Sequence, residues 1–125
     1  MYIQHQHWKG TCDRILIADF RGHGTVQADI PNTPEGRQKL KADALLWALW
    51  VDEGKDLYND PYRRRGEATI LMKAAEDEAK KKGCKSIALE WSLKESPYWV
   101  HDWYERLGYE DKEFGNGCAL MVKKL

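Results

Sequence analysis

The run Tyr62-Arg63-Arg64-Arg65-Gly66-Glu67-Ala68-Thr69 gathers the residue types that hold an anion, and it stands where the clearest helical pattern of the chain begins. A helix start carries about half a positive charge and up to four N–H groups without a backbone partner. Helices usually answer this with Ser, Asp or Glu. Here three arginines crowd the positive end, each disfavoured by roughly 0.3–1 kcal/mol, and Glu67 offsets only part of that. Gly66 and Ala68 are small enough to let an anion reach the backbone. Arginines, bare N–H groups and small residues together describe a phosphate cradle, although a solvated basic turn has the same composition. The Gly-Lys-Ser/Thr ending of a P-loop and the GxGxxG of dinucleotide folds are both missing. His5 and His7 stand two apart with Cys12 nearby, too few ligands in too loose a frame for a metal. They read as a flexible polar terminus, and no metal site is expected.

The elements that must position the cradle follow from hydrophobic pattern and turn chemistry. Residues 14–20 and 25–30 are β-rich and flank Arg21-Gly22-His23-Gly24, which predicts a hairpin. Thr33 and Pro34 cap and open a short helix ending near Lys41. Residues 44–51 are apolar at every position, as in a central strand covered on both faces. After the polar loop 52–61, a helix is expected over 66–82, with Ile70, Leu71, Ala74, Ala75 and Ala79 as its apolar stripe. Glu76–Lys80, Asp77–Lys81 and Glu78–Lys82 would pair i,i+4 on its outer side, and Gly83 suits the C′ position. A strand over 85–91 puts Ile87, Leu89 and Trp91 on one face. Ser96-Pro97 caps a second helix that ends at Leu107 and Gly108. Two last strands, 109–114 and 118–123, meet at Gly115-Asn116-Gly117. The expected fold class is α/β, with helices packed on a mixed sheet.

With 125 residues the chain has room for one domain, residues 1–125, around one core. Twenty basic residues balance twenty acidic ones, so no net field recruits nucleic acid or an anionic membrane, and any anion site must be local. No apolar run approaches the ~20 residues of a membrane span. Residues 1–10 have neither the basic start nor the apolar stretch of a secretion signal. Three widely spaced cysteines, Cys12, Cys84 and Cys118, form no CxxC pattern and suit a reducing cytoplasm. Most of the six tryptophans lie in apolar segments and are expected in the core, and a Trp-rich apolar surface would suit a homodimer.

Arg63-x-x-Gly66-x-Ala68 resembles the [Gln/Arg]-x-x-Gly-x-[Gly/Ala] pyrophosphate loop of the GNAT acetyltransferase superfamily. Trp103-Tyr104-Glu105-Arg106-Leu107-Gly108-Tyr109 is similar to its second hallmark, an aromatic-Tyr-x-basic-Leu-Gly-aromatic run. Both occur in order across residues 44–125, with a helix, a strand and a helix start between them. The resemblance implies a GNAT-like sheet that binds acetyl-CoA and passes the acetyl group to an amine. It assigns the coenzyme A pyrophosphate to Arg63, Arg64, Arg65, Gly66, Glu67, Ala68 and Thr69, and the pantetheine arm to the backbone of Leu49, Trp50 and Val51. The arm would lie like an added strand where 44–51 and 85–91 splay. An N–H near Trp50 or Val51 would polarise the thioester carbonyl.

Tyr104 would protonate the departing thiolate, a transfer roughly matched because a thiol has a pKa of about 8.5 and a phenol about 10. Val100, Trp103, Tyr104 and Leu107 share one helical stripe, so Tyr104 suits the core equally well. Glu90 borders the proposed cleft as a candidate base, with Asp52, Glu53 and His101 as rivals. It lies opposite Ile87, Leu89 and Trp91, where an ordinary solvent-facing carboxylate would also sit.

The chain departs from the family at its start. Members begin with a strand and two helices that wall the acceptor pocket, whereas this chain reaches its hairpin by residue 14, so all three elements are expected to be lacking. The loop 52–61 is long, and Ser96-Pro97 stand where an Asn is frequent. A non-catalytic acyl-CoA-binding module of the same fold is therefore the alternative to an N-acetyltransferase. An RNA- or nucleotide-binding domain built on Arg63, Arg64 and Arg65 is disfavoured by the zero net charge.

Overall fold

The structure is a computed structural model and describes residues 1–8, 10–19, 24–51 and 61–125, apart from the side chains of Trp50, Pro61, Tyr62, Arg63, Arg64, Arg65 and Glu67. The elements run β1 (Tyr2–Trp8), β2 (Cys12–Ala18), β3 (Gly24–Pro31), α1 (Pro34–Leu40), β4 (Ala44–Val51), α2 (Pro61–Lys81), β5 (Ser86–Ser92), α3 (Tyr98–Arg106), β6 (Glu110–Gly115) and β7 (Cys118–Lys124). One seven-stranded sheet is ordered β1-β2-β3-β4-β5-β7-β6. Only the β4–β5 pair is parallel. The mixed sheet with helices on its faces is as the sequence implies.

The start of the chain corrects the sequence reading. Tyr2–Trp8 is a regular strand paired to β2 from Tyr2↔Ala18 to Trp8↔Cys12, not a loose terminus, so the expected missing first strand is present. β1 ends at Trp8 and β2 begins at Cys12, which leaves no length of chain for two helices between them. Periodicity hides β1, since its residues are almost all exposed and no apolar face marks it. Its polar face still packs. The Arg14 guanidinium lies 5.7 Å from the Trp8 ring and 5.3 Å from that of Trp47, and it is held by Asp29 at 2.9 and 3.1 Å. Trp47 Nε1 donates to the same carboxylate at 3.0 Å. Trp8 and Trp47 in that row stay about half exposed, as does Trp99 on the later helix α3, while Trp91 alone is a fully buried tryptophan among the described side chains.

The core lies between one sheet face and α2 with α3. Ile15, Ile17, Val26, Ala28, Leu46, Ile87, Leu89, Trp91 and Met121 meet Leu71, Met72, Ala75 and Ala79. Ile70, expected in the stripe, is exposed instead, and Met72 takes its place. The opposite face is covered only in part, by α1 and a small cluster of Ala42, Ala88 and Val122, so β4 is not covered on both sides. Thr33 caps α1 by accepting from the Gly36 N–H at 3.1 Å. At α3 the cap is Pro97, without a side-chain bond, so the expected role of Ser96 is not taken up. Asn116 (φ 55) and Gly117 (φ 73) form the β6–β7 turn, both with the left-handed backbone a two-residue hairpin needs. No helix among the described residues is long and apolar enough to cross a membrane.

Candidate functional site

The centre of the sheet is open along one seam. β4 pairs with β5 only at Ala44↔Ile87 and Leu45↔Ala88, and the two strands then part. The reason lies on the other edge of β4. Thr25 faces Trp50 and Gln27 faces Trp47, so Ala48 and Leu49 together stand opposite Val26. Ala48 takes φ 53 to make room for the extra residue. Such a bulge bends a strand and increases its twist, carrying β4 away from β5. A left-handed backbone costs a residue with Cβ about 1–2 kcal/mol, and alanine is the smallest of these. Past Leu45, the groups of β4 that point toward β5 have no ladder partner there. An extended polar chain would fit that slot as an inserted strand.

Tyr104 lies on α3, half-buried against the core, with its ring 5.3 Å from Trp103 and 6.2 Å from Tyr109. Burial pushes its phenol above the usual 10.0, so it stays protonated throughout the neutral range. Its hydroxyl has no hydrogen-bond partner among the described residues. Below it sits a group that sequence reasoning missed. Glu76, expected to face Lys80 in solvent, is 5% exposed. It accepts from Tyr109 Oη at 3.0 Å and from Lys123 Nζ at 2.8 and 3.2 Å. Gly108, at φ 102, turns the chain so that Tyr109 comes back under α3, and a Cβ there would press on Lys123 at 3.3 Å. Among the described residues, the ion pairs within α2 are Lys73–Asp77 and Glu78–Lys81, not the three expected.

His101, a rival base by sequence, is also engaged. Its Nε2 meets Asp111 at 2.8 Å, and its Nδ1 lies 3.6 Å from both Asp102 and Glu105. Burial alone would lower its pKa, but the bond to Asp111 and the nearby carboxylates raise it above the usual 6.5. Glu90 projects from the opposite face of β5, exposed, and borders two cavities. One, of about 540 Å³, is shared with Glu95, Glu113 and Leu120. The other, of about 380 Å³, reaches Asp29 and Lys39 beside α1.

α2 begins at Pro61, five residues before the expected start, so Arg63, Arg64 and Arg65 belong to the helix and not to a turn before it. From Arg65 onward each N–H lies four residues past a carbonyl of the same helix. The first turn has no acidic residue, and Gly66 sits inside the helix with open space around the Cβ it lacks.

The sequence pattern of the acetyltransferase (GNAT) family matches residues 24–109. The chain belongs to that family. It is 37% identical over 76 residues to an uncharacterized N-acetyltransferase of Methanocaldococcus jannaschii, an alignment that covers 60% of this chain and 33% of the relative. The chain thus spans about a third of that curated relative. Its fold is similar to an acetyltransferase from Bacillus cereus, with a TM-score of 0.61 and 19% identity over 98% of this chain and 74% of that one. It is also similar to a chain of the NatC complex bound to Gag peptide and CoA, with a TM-score of 0.60 and 16% identity over 90% and 70% of the two chains.

In this GNAT member each of the two motifs lies on a helix that follows one of the parted strands. Leu49 and Val51 line β4 half-buried, α2 follows β4, and α3 with Tyr104 follows β5. Asp52 and Glu53 lie outside the described residues, as do the side chains of Trp50, Arg63, Arg64, Arg65 and Glu67. Gly66 is exposed, Ala68 buried and Thr69 half-buried.

Proposed function

We propose that this GNAT protein is an N-acetyltransferase of the reducing cytoplasm, with residues 1–125 acting as one catalytic domain that moves an acetyl group from acetyl-CoA to an amine. The observation that carries the reading is the slot opened by the Ala48 bulge, whose backbone groups, without a ladder partner on β5, fit a pantetheine amide chain. In this reading the backbone of Leu49, Trp50 and Val51 holds the arm, and an N–H of Trp50 or Val51 polarises the thioester carbonyl. Tyr104 donates its hydroxyl proton to the sulfur as the carbon–sulfur bond breaks, and Glu90 takes the proton lost by the attacking amine. The amine enters by the 540 Å³ cavity that Glu90 borders. The fold likeness to a NatC chain in a complex holding CoA and a peptide supports the same reading.

The pyrophosphate belongs to the residue 63–69 segment, and the helix start at Pro61 gives that assignment a condition. For Arg65, Gly66, Glu67, Ala68 and Thr69 to offer backbone donors, the first turn of α2 opens toward Gly66. Three arginines stand at the positive end of the helix dipole, the first turn itself carries no acidic residue, and a glycine within a helix costs about 0.5–1 kcal/mol. A diphosphate would exchange those losses for charge-assisted hydrogen bonds.

The direct check is a melting curve with and without coenzyme A. A ligand at ~100 times its Kd adds about 2.7 kcal/mol, which at this size moves the midpoint by several degrees. No movement at millimolar coenzyme A overturns the assignment. A second reading, a non-catalytic acyl-CoA-binding module, is favoured by the absence of acceptor-walling helices between β1 and β2. Stabilisation by coenzyme A without thiol release across a broad amine panel would select it.

A further inference from the structure

The two ends of the sheet are built differently. At one end, β6 carries Glu110, Asp111, Lys112 and Glu113, and its register breaks between Asp111 and Glu113. Charges and a bulge are the devices that stop an edge strand from recruiting another strand. At the other end, β1 has none of them. Tyr2–Trp8 contains no Lys, Arg, Asp, Glu, Pro or Gly, and it keeps unbroken register along all seven pairs with β2. Tyr2, Ile3 and Trp8 are exposed on it. Its outer row of N–H and C=O groups pairs with no strand among the described residues.

We propose that β1 is an interface, and that its partner is the β1 of a second copy of this chain, laid antiparallel so that two seven-stranded sheets become one. The order of residues argues for a second copy over an unrelated strand. Tyr2-Ile3-Gln4-His5-Gln6-His7-Trp8 is nearly the same read in either direction about His5. A two-fold axis through His5 sets Gln4 against Gln6 and Tyr2 against Trp8 on one face, and Ile3 against His7 on the other. No pair opposes an Asp or Glu to another, or a Lys to an Arg, the arrangement that disfavours cross-strand neighbours. Such self-complementarity is what an isologous interface requires. On the first face Tyr2 of the second copy would extend the existing row of Trp8, Arg14 and Trp47. On the second face the only charged group of the described helices within ion-pair reach of His5 is Glu78 of α2, at 3.8 Å. The interface lies at the far end of β1-β2-β3-β4 from the parted strands. It therefore stands apart from the acetyl-transfer reading.

The test is sedimentation velocity on the 125-residue chain from micromolar to near-millimolar concentration, together with amide hydrogen exchange at both ends of that range. A concentration-dependent dimer is expected, with exchange slowed in residues 2–8 as the concentration rises. His5→Lys, and His5→Glu combined with Glu78→Gln to remove repulsion within the chain, each place like charges on the axis and should be monomeric. Circular dichroism would confirm that both are folded, and mixing them should restore a heterodimer. A monomeric wild-type chain at the highest concentration overturns the proposal. So does a dimer that both variants keep, or β1 exchange that ignores concentration.

Discussion

At the scale of single residues, two side chains give opposite lessons about titration. Tyr104 is held neutral by burial and has no described partner for its hydroxyl, a state suited to giving up a proton only as a thiolate departs. Tyr104→Phe removes one oxygen from a half-buried ring, so stability should change little while kcat falls roughly 10²–10⁴-fold, the usual range for a lost general acid. Coenzyme A affinity should stay close to wild type. Steady-state kinetics beside a coenzyme A titration would separate these, and an unchanged kcat would return Tyr104 to the core. His101 makes a pH-dependent contribution to the fold. Its pKa is raised on folding, so its stabilisation is complete below 6.5 and is lost as pH rises through the higher folded value. His101→Gln should therefore cost most at the acid end of the range in which Asp111 stays ionised, on the order of 2 kcal/mol for a charged hydrogen bond, and progressively less above neutrality. Urea titrations of both proteins across that range would show the converging curves.

At the scale of elements, α2 holds two requirements in tension. As a helix it would gain from alanine at position 66, where open space surrounds the glycine. As an anion cradle it needs its first turn weak. Gly66→Ala should raise the melting temperature of the ligand-free chain by the equivalent of about 0.5–1 kcal/mol. The same change should shrink the shift that coenzyme A produces. If both midpoints rise together, the opening of the first turn is wrong even if coenzyme A binds. The bulge in β4 has the same character, since its left-handed alanine gives up some stability and leaves the slot beside β5 open.

At the scale of the whole molecule, Glu76, Tyr109 and Lys123 tie α2, the end of α3 and β7 together beneath Tyr104. Lys123→Met would leave a buried carboxylate with only the Tyr109 hydroxyl. The loss should be about 3 kcal/mol, near the lower end of the range for a broken buried pair because Lys123 keeps some exposure. Glu76→Gln in the same background should restore part of it, since the stranded charge is then gone. A denaturant-derived double-mutant cycle would measure both, and additive losses would mean that the three groups are not coupled.

The sequence determined the elements whose residues carry their own signal. The Asn116-Gly117 turn, the Thr33 cap of α1 and Gly108 at the end of α3 are set by local backbone chemistry and appear where the residues place them. The two motifs named the family for the same reason, because they concern neighbours along the chain. What needed the tertiary structure was every feature fixed by a distant partner. β1 carries no apolar face, so only its pairing with β2 shows that it is a strand. Glu76 reads as a surface acid until Lys123 and Tyr109 arrive from 47 and 33 residues away. The Ala48 bulge is invisible in an apolar run, because an extra residue in β4 exists only relative to the register of β3. Local propensity is written in neighbouring residues, whereas burial, register and charge pairing depend on segments that only folding brings together.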